Sequence, residues 1–165
     1  MPPSPAEVRT QWARGNPDLD TSPMEMVALL KRATGLLDRA VEPLYEGAPL
    51  TAPEVDMLVP LRHATDPLIA RRLAADLGLS RAGVSKTLAK LERRGFVTRT
   101  PHPADRRAAL VTITEAGARA VDDLFPRQLA AEVALLASLG EDREWVLKAL
   151  VRLVEAMRSG RAATE

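Results

Sequence analysis

Ten cations, Arg71, Arg72, Arg81, Lys86, Lys90, Arg93, Arg94, Arg99, Arg106 and Arg107, fall within 67–107, against three acids, Asp76, Glu92 and Asp105. That segment carries a net +7 in a chain whose total is +1, so the remainder sums to −6. Lysine and arginine at this density suit phosphate, which they hold through charge-assisted hydrogen bonds and by releasing its counterions. Charge segregated onto one segment is the footprint of a nucleic-acid binder. A solvated helix face coated with charge is the plainer account, and the spacing has to separate the two.

Other chemistries have little to work with. The chain contains no cysteine, which removes disulfides, thiol sensing and cysteine zinc sites. His63 and His102 are the two histidines, and neither has a second ligand at i+3 or i+4, so no metal site is expected. Ser80 and Ser85 lack a neighbouring base or an elbow motif, and no glycine-rich phosphate loop occurs. No enzyme and no cofactor are read here.

The spacing around the cations describes a device for laying a helix against a polymer. Ile69, Leu73 and Leu77 recur at i, i+4 and i+8, predicting a helix that Asp66 and Pro67 open and Gly78 ends. Leu79 is expected inside, and Ser80 is expected to cap a second helix over 81–94. In that helix Val84, Leu88 and Leu91 share one face, while Ala82, Lys86, Ala89, Lys90 and Arg93 share the other, with Ser85 at the boundary. Small residues let the backbone approach a groove, and lysines hold it there. Gly95 ends the helix, Phe96 and Val97 return to the core, and FVTRT and AALVTIT alternate like two strands flanking PHPADRR, a basic-tipped hairpin.

These pieces, LGLSRAGVSKTLAKLERRGFV, the tip DRR and the following ITEAG, resemble the winged helix-turn-helix of the MarR family of bacterial transcriptional regulators. The resemblance covers the middle third of the chain and implies that the first and last helices intertwine across a two-fold axis. The expected fold is mainly α with a small antiparallel β wing: a winged helix-turn-helix that dimerises through its N- and C-terminal helices. Family members bind small anionic aromatics, phenolic compounds or drugs between the dimer helices and the winged unit. Trp12 and Asp56 look similar to the urate-responsive subgroup, which also uses an arginine in the reading helix where Thr87 stands here. Trp12, Asp56 and His63 are the candidate ligand-pocket residues; the plainer role of Trp12 is to dock an arm on the body, and Asp56 could make an ordinary surface or inter-helix hydrogen bond.

The elements on either side position this unit. Residues 1–20 form an N-terminal arm with a short helix over 7–15, and 21–50 a dimerisation helix opened by the capping box Ser22-Pro23-Met24-Glu25 and running to about Tyr45. Residues 51–114 form the DNA-binding unit, opened by a second box, Thr51 to Glu54, on a helix that Pro60 should kink or shorten. Residues 115–165 carry the C-terminal dimerisation helices: one capped by Thr114, kinked at Pro126 and ended at Gly140, another over 142–158. Their apolar faces exceed what one winged unit can cover. A cytoplasmic setting is expected, with no secretion signal and no apolar run of about 18 residues.

The reading is a homodimeric, sequence-specific regulator, a repressor released by a small ligand, on a pseudo-palindromic operator whose half-sites lie about 34–36 Å apart. Ser80, Arg81, Ala82, Ser85 and Lys86 would approach base edges, and Lys90 and Arg93 would hold phosphate. Arg106 and Arg107 would reach the minor groove, oriented by Asp105, unless Asp105 is a plain turn residue. Changing both arginines to Ala is expected to flatten the salt dependence of DNA binding by about 0.9 unit for each phosphate no longer neutralised; an unchanged salt titration would remove the wing from the interface. The alternatives are a helical protein-interaction module that keeps a winged helix without reading DNA, or a ligand-independent architectural DNA binder.

Overall fold

The computed structural model describes residues 2–162, and the chain divides into two compact units, Met1–Glu132 and Val133–Glu165. The first holds α1 (Pro5–Gly15), α2 (Met24–Val41), α3 (Ala52–Arg62), β1 (Leu68–Ile69), α4 (Ala70–Asp76), α5 (Arg81–Arg93), β2 (Val97–His102) and β3 (Asp105–Ile113). Helix α6 (Glu115–Leu136) starts in the first unit and ends in the second, which continues into α7 (Arg143–Ala162). The strands form one antiparallel sheet in the order β1-β3-β2, so the chain is mainly helical with a small wing, as expected.

Short-range chemistry accounts for most boundaries. Ser4 and Glu7 make a reciprocal capping box ahead of α1, with Pro5 in the first turn, so the helix opens two residues before the expected start. The Thr51–Glu54 box opens α3 as read, and the helix ends two residues past Pro60. The expected Ser22–Glu25 box does not form. Asp20 accepts the Ser22 N–H at 2.9 Å, the donor the box needed for the Glu25 carboxylate, and a turn sends the Met24 N–H to the Thr21 carbonyl. Helix α2 ends at Val41 and tightens into a 3₁₀ turn, Glu42–Tyr45, at Pro43, which has no N–H to continue the ladder.

Helices α4 and α5 both end in Schellman motifs. Gly78 (φ 66°) and Gly95 (φ 77°) adopt the left-handed conformation while Leu79 and Phe96 donate back to Ala74 and Leu91 at 2.9 and 3.0 Å. The first motif corrects one expectation: Leu79 is 49% exposed, because the left-handed turn carries it away from the core. A second correction concerns the start of α4. Asp66 and Pro67 do not cap it; Leu68 and Ile69 pair with Val111 and Leu110 as a third strand, and α4 begins at Ala70. A partner some forty residues on overrides the local helical period.

Val84, Leu88 and Leu91 on α5 pack with Val55, Leu58, Leu61, Leu73, Val97, Val111, Val121 and Leu124 into one core, so α3, α4, the sheet and α6 hold the inner face of α5. The Thr114 hydroxyl accepts the Gly117 N–H at 3.1 Å and donates to the Gly95 carbonyl, fastening the start of α6 to the start of β2. Helix α6 runs through Pro126 and ends at Leu136 rather than Gly140. Gly140 (φ 49°) lies instead in a 3₁₀ stretch, Ala137–Asp142, that leads to α7.

Candidate nucleic-acid interface

The Ser80 hydroxyl accepts the Gly83 N–H at 3.0 Å and caps α5 as expected. With Val84, Leu88 and Leu91 buried, the opposite face is set: Arg81, Ala82, Ser85, Lys86, Lys90 and Arg93 are all exposed. Lys86 and Arg93 have no ion-pair partner among the described residues. At 3.6 residues per turn they lie within about 20° of one line along the helix and about 10.5 Å apart.

Beside α5 runs a groove of about 520 Å³, walled by α4, α5 and the two long strands, with Arg71, Arg81, Ser85, Arg99 and Asp105 on its lining. Two of its guanidinium groups were counted among the ten cations of 67–107 but given no contact there. Arg71 approaches Asp105 at 3.8 Å across the groove, and Arg99 donates to Glu92 Oε2 through Nε and Nη2 at 2.8 and 2.6 Å. Asp105, expected to orient a wing-tip arginine, makes an ion pair with Arg71 on the opposite wall. The side chains of Arg106 and Arg107 lie outside the described residues. His102 closes the hairpin by accepting the Ala104 N–H on Nδ1 at 3.1 Å.

Lys90, expected on phosphate, is turned to the body. Its ammonium sits 2.9 Å from Glu54 Oε1, and the Arg94 guanidinium donates to both oxygens of the same carboxylate at 2.9 and 3.0 Å. Arg94 also donates to the Pro49 carbonyl and stands 5.0 Å above the Phe96 ring, while the Thr51 N–H donates to Glu54 Oε2. Burial pushes the Glu54 carboxyl up, but the bonds from Lys90, Thr51 and Arg94 outweigh it and hold the group down at about 2. Glu54 announced itself in sequence only as a capping-box residue. Nothing local signals that its side chain is 4% exposed and shared with a helix some forty residues on.

The three candidate pocket residues occupy separate places. Trp12 is 51% exposed on α1, so its ring is not buried against its own chain as the docking role required. Asp56 accepts from Gln128 Nε2 at 3.0 Å, the inter-helix bond allowed for it; the same amide donates to Glu132 at 2.8 Å and accepts from the Tyr45 hydroxyl. Burial, then the charges of Asp56 and Glu132, push the Tyr45 hydroxyl up to about 12. His63 follows α3 and lines a cleft with Val59, Arg62, Asp122, Phe125 and Pro126, which includes neither Trp12 nor Asp56. Arg62 and Asp122 close that cleft with two hydrogen bonds of 2.6 and 2.7 Å.

A family model described as the MarR family matches residues 48–108, which run from the loop before α3 to the wing. The HTH-type transcriptional regulator PecS of Dickeya dadantii is 28% identical over 152 residues, 91% of this chain and 92% of its own. Over residues 48–108 the chain is similar to the MarR family. The solved MarR-family regulator of Rhodococcus sp. RHA1 is 25% identical with a TM-score of 0.68, covering 82% of this chain and 96% of its own. The PcaV transcriptional regulator of Streptomyces coelicolor, solved in complex with its natural ligand, is 27% identical with a TM-score of 0.63, covering 84% and 95%. In this chain the exposed face of α5 and its flanking groove bring Arg71, Arg81, Ser85 and Arg99 onto one surface. No helix among the described residues is long and apolar enough to cross a membrane.

Proposed function

We propose that this chain is a homodimeric, sequence-specific DNA-binding regulator, acting as a repressor that a small ligand releases. The observation that carries the reading is α5 itself: capped by Ser80, locked from behind by Val84, Leu88 and Leu91, small at Ala82 and Ser85, and cationic at Arg81, Lys86 and Arg93. Such a helix admits its backbone to a major groove while its long side chains meet phosphate on either side. Arg81 also lines the adjoining groove, beside Arg71 and Arg99, whose charges are paired with Asp105 and Glu92. A gel shift on the intergenic DNA beside its own gene, with mixed-sequence competitor, tests the reading: a retained complex supports it, and loss of all preference for that fragment favours an interaction module instead. Release of the complex by phenolic carboxylates, in the same assay, tests the effector class. The solved PcaV complex supports a ligand site in this chain, and Tyr45, Asp56, Gln128 and Glu132 supply a polar cluster between α3 and α6.

The dimer is argued from apolar surface left uncovered in each unit. Met26, Leu29 and Leu36 on α2 are 54, 52 and 48% exposed, and Trp145, Leu150, Val154 and Met157 on α7 are 71, 44, 48 and 62% exposed. Stripes of this kind on terminal helices mark an association surface. A double change, Leu150→Glu with Val154→Glu, is expected to leave the helical circular dichroism intact and convert a dimer to a single chain in sedimentation equilibrium. A wild-type protein that sediments as one chain at working concentration contradicts the proposal.

A further inference from the structure

We propose that Glu54 is a positioning residue that divides the cations of α5, holding Lys90 and Arg94 against the body so that phosphate binding beyond the first turn is left to Lys86 and Arg93. The inference deepens the DNA-binding reading and rests on it.

On the helix surface Lys90 lies about 40° from Lys86 and about 60° from Arg93, near enough for a free lysine to swing onto the same duplex. It is not free: its ammonium is 2.9 Å from a carboxylate whose side chain is 4% exposed. A pair with one partner so buried is screened by salt far less than a surface pair, so Lys90 does not join the population of cations that exchange counterions with DNA. Arg94 is tied further, to Glu54, to the Pro49 carbonyl and over the Phe96 ring, which anchors the last turn of α5 to the first turn of α3. Bonds to phosphate carry no sequence information of their own. Withdrawing Lys90 from them lowers sequence-independent affinity, while the same ion pairs fix the register in which Arg81, Ala82 and Ser85 meet base edges. Glu54 thereby raises the ratio of specific to non-specific binding.

The test is fluorescence anisotropy on a labelled mixed-sequence duplex, titrated over roughly 50 to 200 mM salt, with wild type, Lys90→Ala, Arg93→Ala, Glu54→Gln and the Glu54→Gln/Lys90→Ala double variant. Arg93→Ala is expected to flatten the salt slope by about 0.9 unit for each phosphate that Arg93 had neutralised, and Lys90→Ala to leave it at the wild-type value. Glu54→Gln, which releases Lys90, is expected to steepen the slope by about 0.9 unit for each phosphate the freed ammonium reaches, and the double variant to return it to wild type. A merely structural glutamate would weaken binding without steepening anything. The proposal is overturned if Lys90→Ala flattens the slope as much as Arg93→Ala does, or if a folded Glu54→Gln binds with an unchanged slope. Should Glu54→Gln fail to fold by circular dichroism, Lys90→Ala against Arg93→Ala decides alone. Wild type that binds no duplex strikes the DNA reading itself, a different result from wild type that binds with Lys90 on phosphate.

Discussion

Glu54→Ala is expected to cost about 2–3 kcal/mol of folding stability at neutral pH. Removing one member of a buried ion pair typically costs about 3–5 kcal/mol, because the group left behind keeps its charge without a partner. Here the abandoned side chains, Lys90 and Arg94, are 53 and 32% exposed and can recover water, which places the loss toward and below the lower end of that range. The same carboxylate gives the pH dependence its sign. Its folded value is depressed to about 2 from an ordinary 4.5, so the stability it contributes is complete above about 4.5 and is lost as pH falls toward 2. At 1.36 kcal/mol per unit the full loss is about 3 kcal/mol. Urea melts of wild type and Glu54→Gln should therefore differ most at neutral pH and converge between 4.5 and 2. Curves that stay parallel through that window would show that the carboxylate charge is not what the native state uses.

The second large effect is expected at Gly117. A Cβ built there meets the Phe96 carbonyl oxygen at 2.2 Å and Ile113 Cγ1 at 2.8 Å, and the first of these is backbone that cannot rotate aside. That carbonyl already accepts the Thr114 N–H at 3.0 Å, so relief would break the fastening between β2 and α6. An alanine gains about 1 kcal/mol of helix propensity over glycine. Overpacking costs typically about 1–3 kcal/mol and sometimes more, and a backbone clash this short belongs at the upper end, so the clash wins. Gly117→Ala is expected to lower Tm by about 5–10 °C at about 2–4 °C per kcal/mol for a chain of this size. Ala116→Gly, one residue earlier and exposed, should cost only about 1 kcal/mol and serves as the control. If Gly117→Ala melts with or above that control, the close approach of α6 to β2 is not as tight as the structure has it. The glycine of the ITEAG stretch thus has a steric reason that the motif alone does not state.

What was legible in the chain, and what was not, divides along the range of the interaction. The Ser80 cap, the Thr51–Glu54 box, the Thr114 cap and the left-handed Gly78 and Gly95 each involve groups within about five residues, so residue type and spacing suffice to place them. The buried face of α5 was equally readable, because a 3.6-residue period is a property of the helix itself. Where a local signal competed with a second local one, reading failed narrowly: Asp20 took the backbone N–H of Ser22, and the expected cap was gone.

The remaining differences came from partners distant in sequence. Leu68 and Ile69 look helical until β3 arrives to pair with them, and Leu79 looks buried until the turn's handedness sends it outward. Cation count along 67–107 was plain, but not which cations stay available, since Glu54, Glu92 and Asp105 draw Lys90, Arg94, Arg99 and Arg71 into pairs. By itself, then, the sequence determined most of the helices and the hairpin, the caps at Thr51, Ser80 and Thr114, the inner face of α5 and the concentration of positive charge on one segment. Tertiary structure alone decided the third strand, the clearance at Gly117 and which positive side chains remain to meet a phosphate, because a charge is available or spent only according to what the folded chain sets beside it.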